Sequence, residues 1–201
     1  MTRARYSLNE NYFQDLNAEK AYWLGFIWAD GCVYQRKNRP SKVFHLVQHN
    51  KDQYHLQDFL NCLKSTHPIA DRKDSTCVIT ISNQKLIQDI ESYGIHPRKS
   101  FDDEAIVCNI IADNRYDFVR GLLDGDGYVS RNGTVVKICA NFKMAKWLKI
   151  LFDTGSVWRA KDSRHYVWQI NGRHQIQRFK TLVYNNTKPC LIRKYNRMFQ
   201  L

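Results

Sequence analysis

The chain has 201 residues, 31 of them basic against 19 acidic, for a formal net charge of +12. Its 43% apolar content excludes a disordered chain and is enough for one compact unit or two small ones. With no apolar run long enough to cross a bilayer and no signal-peptide core after the basic first residues, the composition points to a soluble, intracellular protein. The positive excess attracts polyanions, nucleic acid ahead of a membrane surface.

In chain order, residues 18–29 predict a first helix, with Tyr22, Phe26 and Ala29 at helical spacing, Asn17 as its cap and Gly31 as its stop. Two strands follow at 32–37 and 42–48 around a polar turn holding Asn38 and Pro40. Helical spacing returns over 52–64, then a second hairpin at 66–72 and 76–81 turns across Asp74-Ser75. A helix over 84–93 stops at Gly94. The order then repeats: a helix at 114–125, a hairpin at 128–131 and 134–139 across Asn132-Gly133, and a helix at 143–152. A hairpin at 156–161 and 166–170 and a helix at 174–184 complete the second half. Each half reads αββαββα. The join near residues 102–113 is acidic and apolar rather than rich in Gly and Ser, which predicts two packed repeats, 1–103 and 104–201, in place of tethered domains. The six scattered cysteines form no Cys-x-x-Cys pair and predict reduced, mostly buried thiols.

The informative feature is an internal repetition. Trp23-Leu24-Gly25-Phe26-Ile27-Trp28-Ala29-Asp30-Gly31 and Val119-Arg120-Gly121-Leu122-Leu123-Asp124-Gly125-Asp126-Gly127 lie half a chain apart. Small residues four apart, Gly25 with Ala29 and Gly121 with Gly125, give each helix a flat stripe that another backbone can approach. Two helices packed along those stripes bring Asp30 and Asp126 together. An acid at a helix C-terminus meets the negative end of the dipole, at a cost of up to about 1 kcal/mol, and two such acids also repel. A cation between them removes both penalties, and hard oxygen ligands suit Mg²⁺. A calcium loop from Asp124 onward fails, because Tyr128 and Val129 stand where it needs a ligand and a glycine.

These segments, WLGFIWADG and VRGLLDGDG, resemble the paired motifs of the LAGLIDADG homing endonucleases in their single-chain, two-repeat form. Both keep the glycine at position three, the acid at position eight and the closing glycine. Trp28 replaces the sixth-position acid in the first copy, and Arg120 occupies an apolar position in the second. The resemblance implies an α+β fold: two pseudo-symmetric αββαββα repeats, each with a four-stranded antiparallel β-saddle for the DNA major groove, packed through the two motif helices. It further implies that Asp30 and Asp126 hold divalent metal, Mg²⁺ or Mn²⁺, with the carbonyls of Ala29 and Gly125 as extra ligands, and direct water at the two strands. Gln48 matches a glutamine that the family places at the end of the second strand; its counterpart by repeat alignment is Ala140. Lys99 and Lys194 each follow the last predicted helix of a repeat, placed to stabilise phosphate charge.

Strand alternation selects the side chains that face DNA. In the first half these are Tyr34, Arg36, Asn38, His45 and Arg72. In the second they are Ser130, Asn132, Lys137, then Arg159 and Lys161 opposite inward Trp158 and Ala160, then His165 and Gln169. The halves differ, so the implied target is long and non-palindromic. The expected protein is a monomeric, Mg-dependent endodeoxyribonuclease acting on double-stranded DNA, in a bacterial or phage setting rather than an organelle. The alternative is a non-cleaving DNA-binding regulator, or a maturase for intron RNA, on the same scaffold.

Overall fold

The computed structural model describes residues 5–35, 37, 40–99, 106, 112–161, 163–185 and 188–199. Helix α1 (Ala18–Asp30) starts where the side chain of Asn17 accepts the Lys20 amide at 3.0 Å, and every residue from Ala21 to Trp28 is buried. It runs directly into β1 (Gly31–Gln35), followed by β2 (Lys42–His49), α2 (Gln53–Cys62), β3 (Ile69–Asp71), β4 (Thr76–Ile81) and α3 (Gln84–Ser92). The second repeat has α4 (Arg115–Asp126), β5 (Gly127–Val129), β6 (Val135–Ala140), α5 (Phe142–Phe152), β7 (Ser156–Arg159), β8 (Tyr166–Asn171) and α6 (Arg173–Val183). A further helix, α7 (Ile192–Phe199), follows.

The two antiparallel sheets have equivalent strand orders, β1-β2-β4-β3 and β5-β6-β8-β7. Their inner faces, with Phe44, Leu46, Ile79 and Ile81 in one and Val136, Ile138, Trp168 and Ile170 in the other, belong to one continuous core with the helices. The other faces are open. The α+β class and the two-repeat architecture expected from the sequence are therefore those of the protein.

α1 and α4 make the most extensive contact between elements. The small residues explain how close it is. A Cβ added to Gly25 would lie 2.0 Å from the Phe118 carbonyl oxygen, and one on Gly121 would lie 1.9 Å from the Tyr22 carbonyl oxygen. Each helix thus seats a backbone carbonyl in the gap left by the other's glycine. Gly31, read as a helix stop, and Gly127, its counterpart in the second motif, have ordinary extended backbones with φ of −85° and −98°. Their requirement is space: a Cβ would meet the carbonyl oxygens of Ile27 and Leu123 at 2.5 and 2.3 Å.

The cysteines are not mostly buried, since Cys77 alone of the five described is buried and Cys32 and Cys139 are exposed on the sheets, and three local features also depart from the sequence reading. β3 starts at Ile69 instead of residue 66, because Thr66 pairs with the N-terminal segment, its amide donating to the Ser7 carbonyl at 3.0 Å. β7 stops at Arg159, and its register pairs Trp158 with Val167 and Arg159 with Tyr166. Trp158 therefore lies on the open face, 39% exposed, while Arg159 falls in the inward frame at the sheet edge; the predicted alternation is out by one residue. The tryptophan was assigned inward on hydrophobicity, a weak guide on an edge strand. Finally, α7 was not anticipated: it is short and strongly basic, with apolar anchors only at Tyr195, Met198 and Phe199.

Arg120, the charge at an apolar motif position, is 1% exposed. Its guanidinium donates to the carbonyls of Pro189 and Val183 at 2.9 and 2.8 Å, pairs with Asp117 at 2.8 Å and lies 5.3 Å from the centre of the Tyr22 ring. It fastens the chain between α6 and α7 to the central helix. Arg120→Met is expected to destabilise the protein by about 3 kcal/mol in urea titrations, since a buried pair loses one partner and two carbonyls lose their donor. A change below about 1 kcal/mol would show that water replaces those contacts.

Candidate active site and nucleic-acid interface

Asp30 and Asp126 are the last residues of α1 and α4. The crossing of the glycine stripes fixes their separation: a Cβ on Gly125 would lie 2.2 Å from the Ala29 Cβ and 3.0 Å from Asp30 Oδ2. Asp30 is half-buried and Asp126 is exposed, but protein atoms pack around both carboxyls closely enough to disfavour their charged forms. Burial, then the charge of Asp126, pushes Asp30 up to about 6, against the opposing pull of the Gln48 hydrogen bond and of Lys194 and Lys99. Asp126 is also raised by burial, with Lys99 and then Lys194 holding it down. These are acids kept at an energetic disadvantage, which a divalent cation would remove.

Gln48, at the end of β2, donates through Nε2 to Asp30 Oδ2 at 2.5 Å. Register confirms that Ala140 is its counterpart: Gly31 pairs with Leu46 and Gly127 with Ile138, each two residues before the position in question. The two acids thus have different surroundings. Asp126 opens on a cleft of about 180 Å³ with Lys99, Ala140, Asn141 and His165. Asp30 opens on a wider one of about 710 Å³ with Tyr34, Arg98 and Lys99; Ala29 lines both.

The two lysines also differ. Lys99 Nζ donates to the Gly31 carbonyl at 2.7 Å and faces both clefts, and burial lowers its pKa. Lys194 Nζ caps the end of α4, donating to the carbonyls of Leu123, Asp124 and Gly125 at 2.7, 2.7 and 3.0 Å, and burial brings its pKa down to about 8. The Gly125 carbonyl, a candidate metal ligand, is thus already shared with an ammonium. In return, Asp124 Oδ2 accepts the Leu191 amide at 2.7 Å, just before α7. Helix α4 holds the start of α7, and α7 supplies the lysine that closes α4. The same Asp124 oxygen accepts the Tyr22 hydroxyl at 2.8 Å, and Tyr22 reaches His55 Nε2 at 2.7 Å, tying both repeats together. Sequence reasoning missed this thread, whose only trace was an acid in one motif where the other has Trp28.

Among the described residues no group of three or more His, Cys, Asp or Glu gathers to hold a metal. A cation between these carboxylates would take its remaining ligands from carbonyl, water or phosphate oxygens. That donor set fits Mg²⁺, which keeps several waters, better than zinc.

On the open faces, Tyr34 pairs with Val43 and Cys32 with His45, so Tyr34 and His45 are diagonal neighbours on one face, the Tyr34 hydroxyl 3.3 Å from His45 Nε2. Arg72 continues β3 opposite Thr76. In the second sheet Lys137 and Gln169 are paired neighbours, Ser130 lies opposite Val135, and His165 shares the Gln169 frame. Asn132 shapes its turn, accepting from the hydroxyls of Ser130 and Thr134. Lys161 and Arg164, in the turn after β7, line one cleft with Arg159, the last residue of that strand. Arg36 and Asn38 lie outside the described residues. Two exposed aromatics were missed: Trp158 and Tyr128, the latter 50% exposed with the Lys137 ammonium 5.9 Å from its ring centre. No helix among the described residues is long and apolar enough to cross a membrane.

No family model and no curated protein sequence matches the chain. Solved structures do. The I-LtrWI LAGLIDADG homing endonuclease bound to target DNA is 13% identical, with TM-score 0.62 over 96% of this chain and 90% of that one. The LAGLIDADG meganuclease I-AabMI, bound to uncleaved DNA, is 14% identical, with TM-score 0.63 over 90% and 88%. The I-SmaMI LAGLIDADG homing endonuclease bound to cleaved DNA is 14% identical, with TM-score 0.62 over 92% and 87%; another I-SmaMI structure holds uncleaved DNA in the presence of calcium ions. In strand order, in the packing of its two motif helices and in the coverage of these structures, the chain has the two-repeat fold of the LAGLIDADG homing endonucleases.

Proposed function

We propose that the protein is a monomeric homing endonuclease that makes a double-strand break in a long, non-palindromic DNA target, with the repeats 1–103 and 104–201 each serving one half-site. The observation that carries this reading is the pair of acids, Asp30 and Asp126, brought together at the ends of the two glycine-packed helices, each with its carboxyl disfavoured in the charged form. Each opens on its own cleft, as cutting two strands requires. A bound Mg²⁺ or Mn²⁺ would supply charge for the phosphate and a more acidic attacking water. Asp30 and Asp126 would hold it, with the Ala29 carbonyl beside them.

The chain's own residues do the rest. Gln48 orients the Asp30 carboxylate. Lys99, with its lowered pKa and its place in both clefts, offers a cation to phosphate oxygens. Lys194 is engaged by three carbonyls and acts by fixing the end of α4, and with it Asp126. The sheets' open faces supply base contacts through Tyr34, His45, Arg72, Ser130, Lys137, His165 and Gln169, with Lys161 meeting backbone from the β7–β8 turn.

The test is cleavage of a randomised duplex library with Mg²⁺, followed by sequencing of the ends. Staggered cuts at one long site are expected, falling by about 10³-fold or more in Asp126→Asn. Selective binding with no cut under any divalent metal would overturn the nuclease reading and favour a regulator, or, if intron RNA is retained, a maturase.

A further inference from the structure

The segment before α1 does not simply lead into the fold. Its backbone runs beside the approach to β3: the Thr66 amide donates to the Ser7 carbonyl at 3.0 Å, the Ser7 amide to Thr66 Oγ1 at 2.9 Å, and the Asn9 amide to the Leu63 carbonyl at 2.8 Å. These bonds place Tyr6 against His67, ring centres 5.0 Å apart, with the Arg5 guanidinium 5.3 Å from the Tyr6 ring centre. A cation is thereby stacked at the outer edge of the first sheet. Between this segment and the sheet lies a cleft of about 790 Å³. Its floor is made by Ala70, Val78 and Thr80, the side chains of β3 and β4 that belong to the sheet's open face. An exposed acid, Glu10, also lines the cleft and accepts from Asn83 Nδ2 at 3.1 Å.

We propose that residues 5–10 form an arm that carries the DNA contact past β3, and that the cleft behind it seats the sugar–phosphate backbone flanking the first half-site. The proposal rests on the DNA-binding reading above and adds an element that reading does not use. Three observations select a DNA backbone as the occupant. The cleft is continuous with the face offered to DNA. It lies beyond the last strand of the sheet, where a duplex tracking that face would leave it. Its charged side chains are the exposed Arg5 cation and Glu10, the latter engaged by Asn83, in a chain with a net charge of +12.

The experiment is hydroxyl-radical footprinting of the full chain on its selected duplex, with Kd measured across a salt series. The variants are Arg5→Ala and Thr80→Glu, both at exposed positions that leave the core intact. Both should lose protection at the outer end of one half-site only, and Arg5→Ala should flatten the slope of log Kd against log salt by about 1. A duplex trimmed at that end should bind wild type and Arg5→Ala alike. An unchanged footprint and slope in both variants, on a duplex that wild type protects, would overturn the proposal. A wild type that protects no duplex would instead remove the DNA-binding reading beneath it.

Discussion

Gly121→Ala is expected to abolish the native fold or to destabilise it by more than about 3 kcal/mol, the upper end of ordinary overpacking. The added methyl would sit 1.9 Å from the Tyr22 carbonyl oxygen and 2.7 Å from the Phe26 nitrogen, so no side-chain rotation relieves the clash. The helices must move apart by more than an ångström along the axis where both repeats meet. Gly25→Ala should behave alike, since its methyl meets the Phe118 carbonyl oxygen at 2.0 Å. The control is Gly172, with φ of +88° and no neighbour within 4 Å of an added Cβ. Gly172→Ala carries only backbone strain, about 1–2 kcal/mol. Urea titrations monitored through Trp23, buried on α1, separate the two outcomes. If Gly121→Ala melts like Gly172→Ala, the helices are not in backbone contact.

The glycine stripes were legible because repetition made them so. Gly25 with Ala29 is common in isolation, but the same spacing in Gly121 with Gly125, each ending in Asp-Gly, is a signal that one segment could not give. Asn17 at the start of α1 and the Asn132-Gly133 turn were legible for local reasons, since a cap and a left-handed glycine (φ 62° at Gly133) act within a few residues. What stayed hidden depends on contacts distant in sequence. Arg120 looks misplaced until Val183 and Pro189 are seen to need a donor. Lys194 reads as a cation for phosphate until α7 brings it to three helix-end carbonyls. Trp158 was put inside because an edge strand's frame cannot be taken from hydrophobicity alone, and that one-residue slip moved Arg159 with it.

Asp30→Asn should make the metal-free protein more stable and cleavage-inactive together. The Asp30 carboxyl titrates in the folded protein at about 6, against an ordinary 3.8, so the folded state binds its proton more tightly than the unfolded chain does. Stability contributed by the protonated acid is complete below the ordinary value and is lost as pH rises toward about 6. At pH 8 the wild type bears the whole cost and the neutral amide none of it, while an Asn oxygen can still accept from Gln48. The expected gain is about 1–2 kcal/mol, discounted for partial exposure, shrinking to nothing near pH 4. Mg²⁺ supplies by charge what the substitution supplies by neutrality. Millimolar Mg²⁺ should therefore raise the wild-type Tm at pH 8 and raise that of Asp30→Asn much less. Thermal melts over pH 4–8, with and without Mg²⁺, read all of these effects. Equal Mg²⁺ shifts in both proteins would mean that the ion binds elsewhere, and a variant that is stabilised yet still cuts would remove Asp30 from the chemistry. If both effects appear, the same burial that makes this helix end unfavourable in the free protein is what makes it a site for a cation.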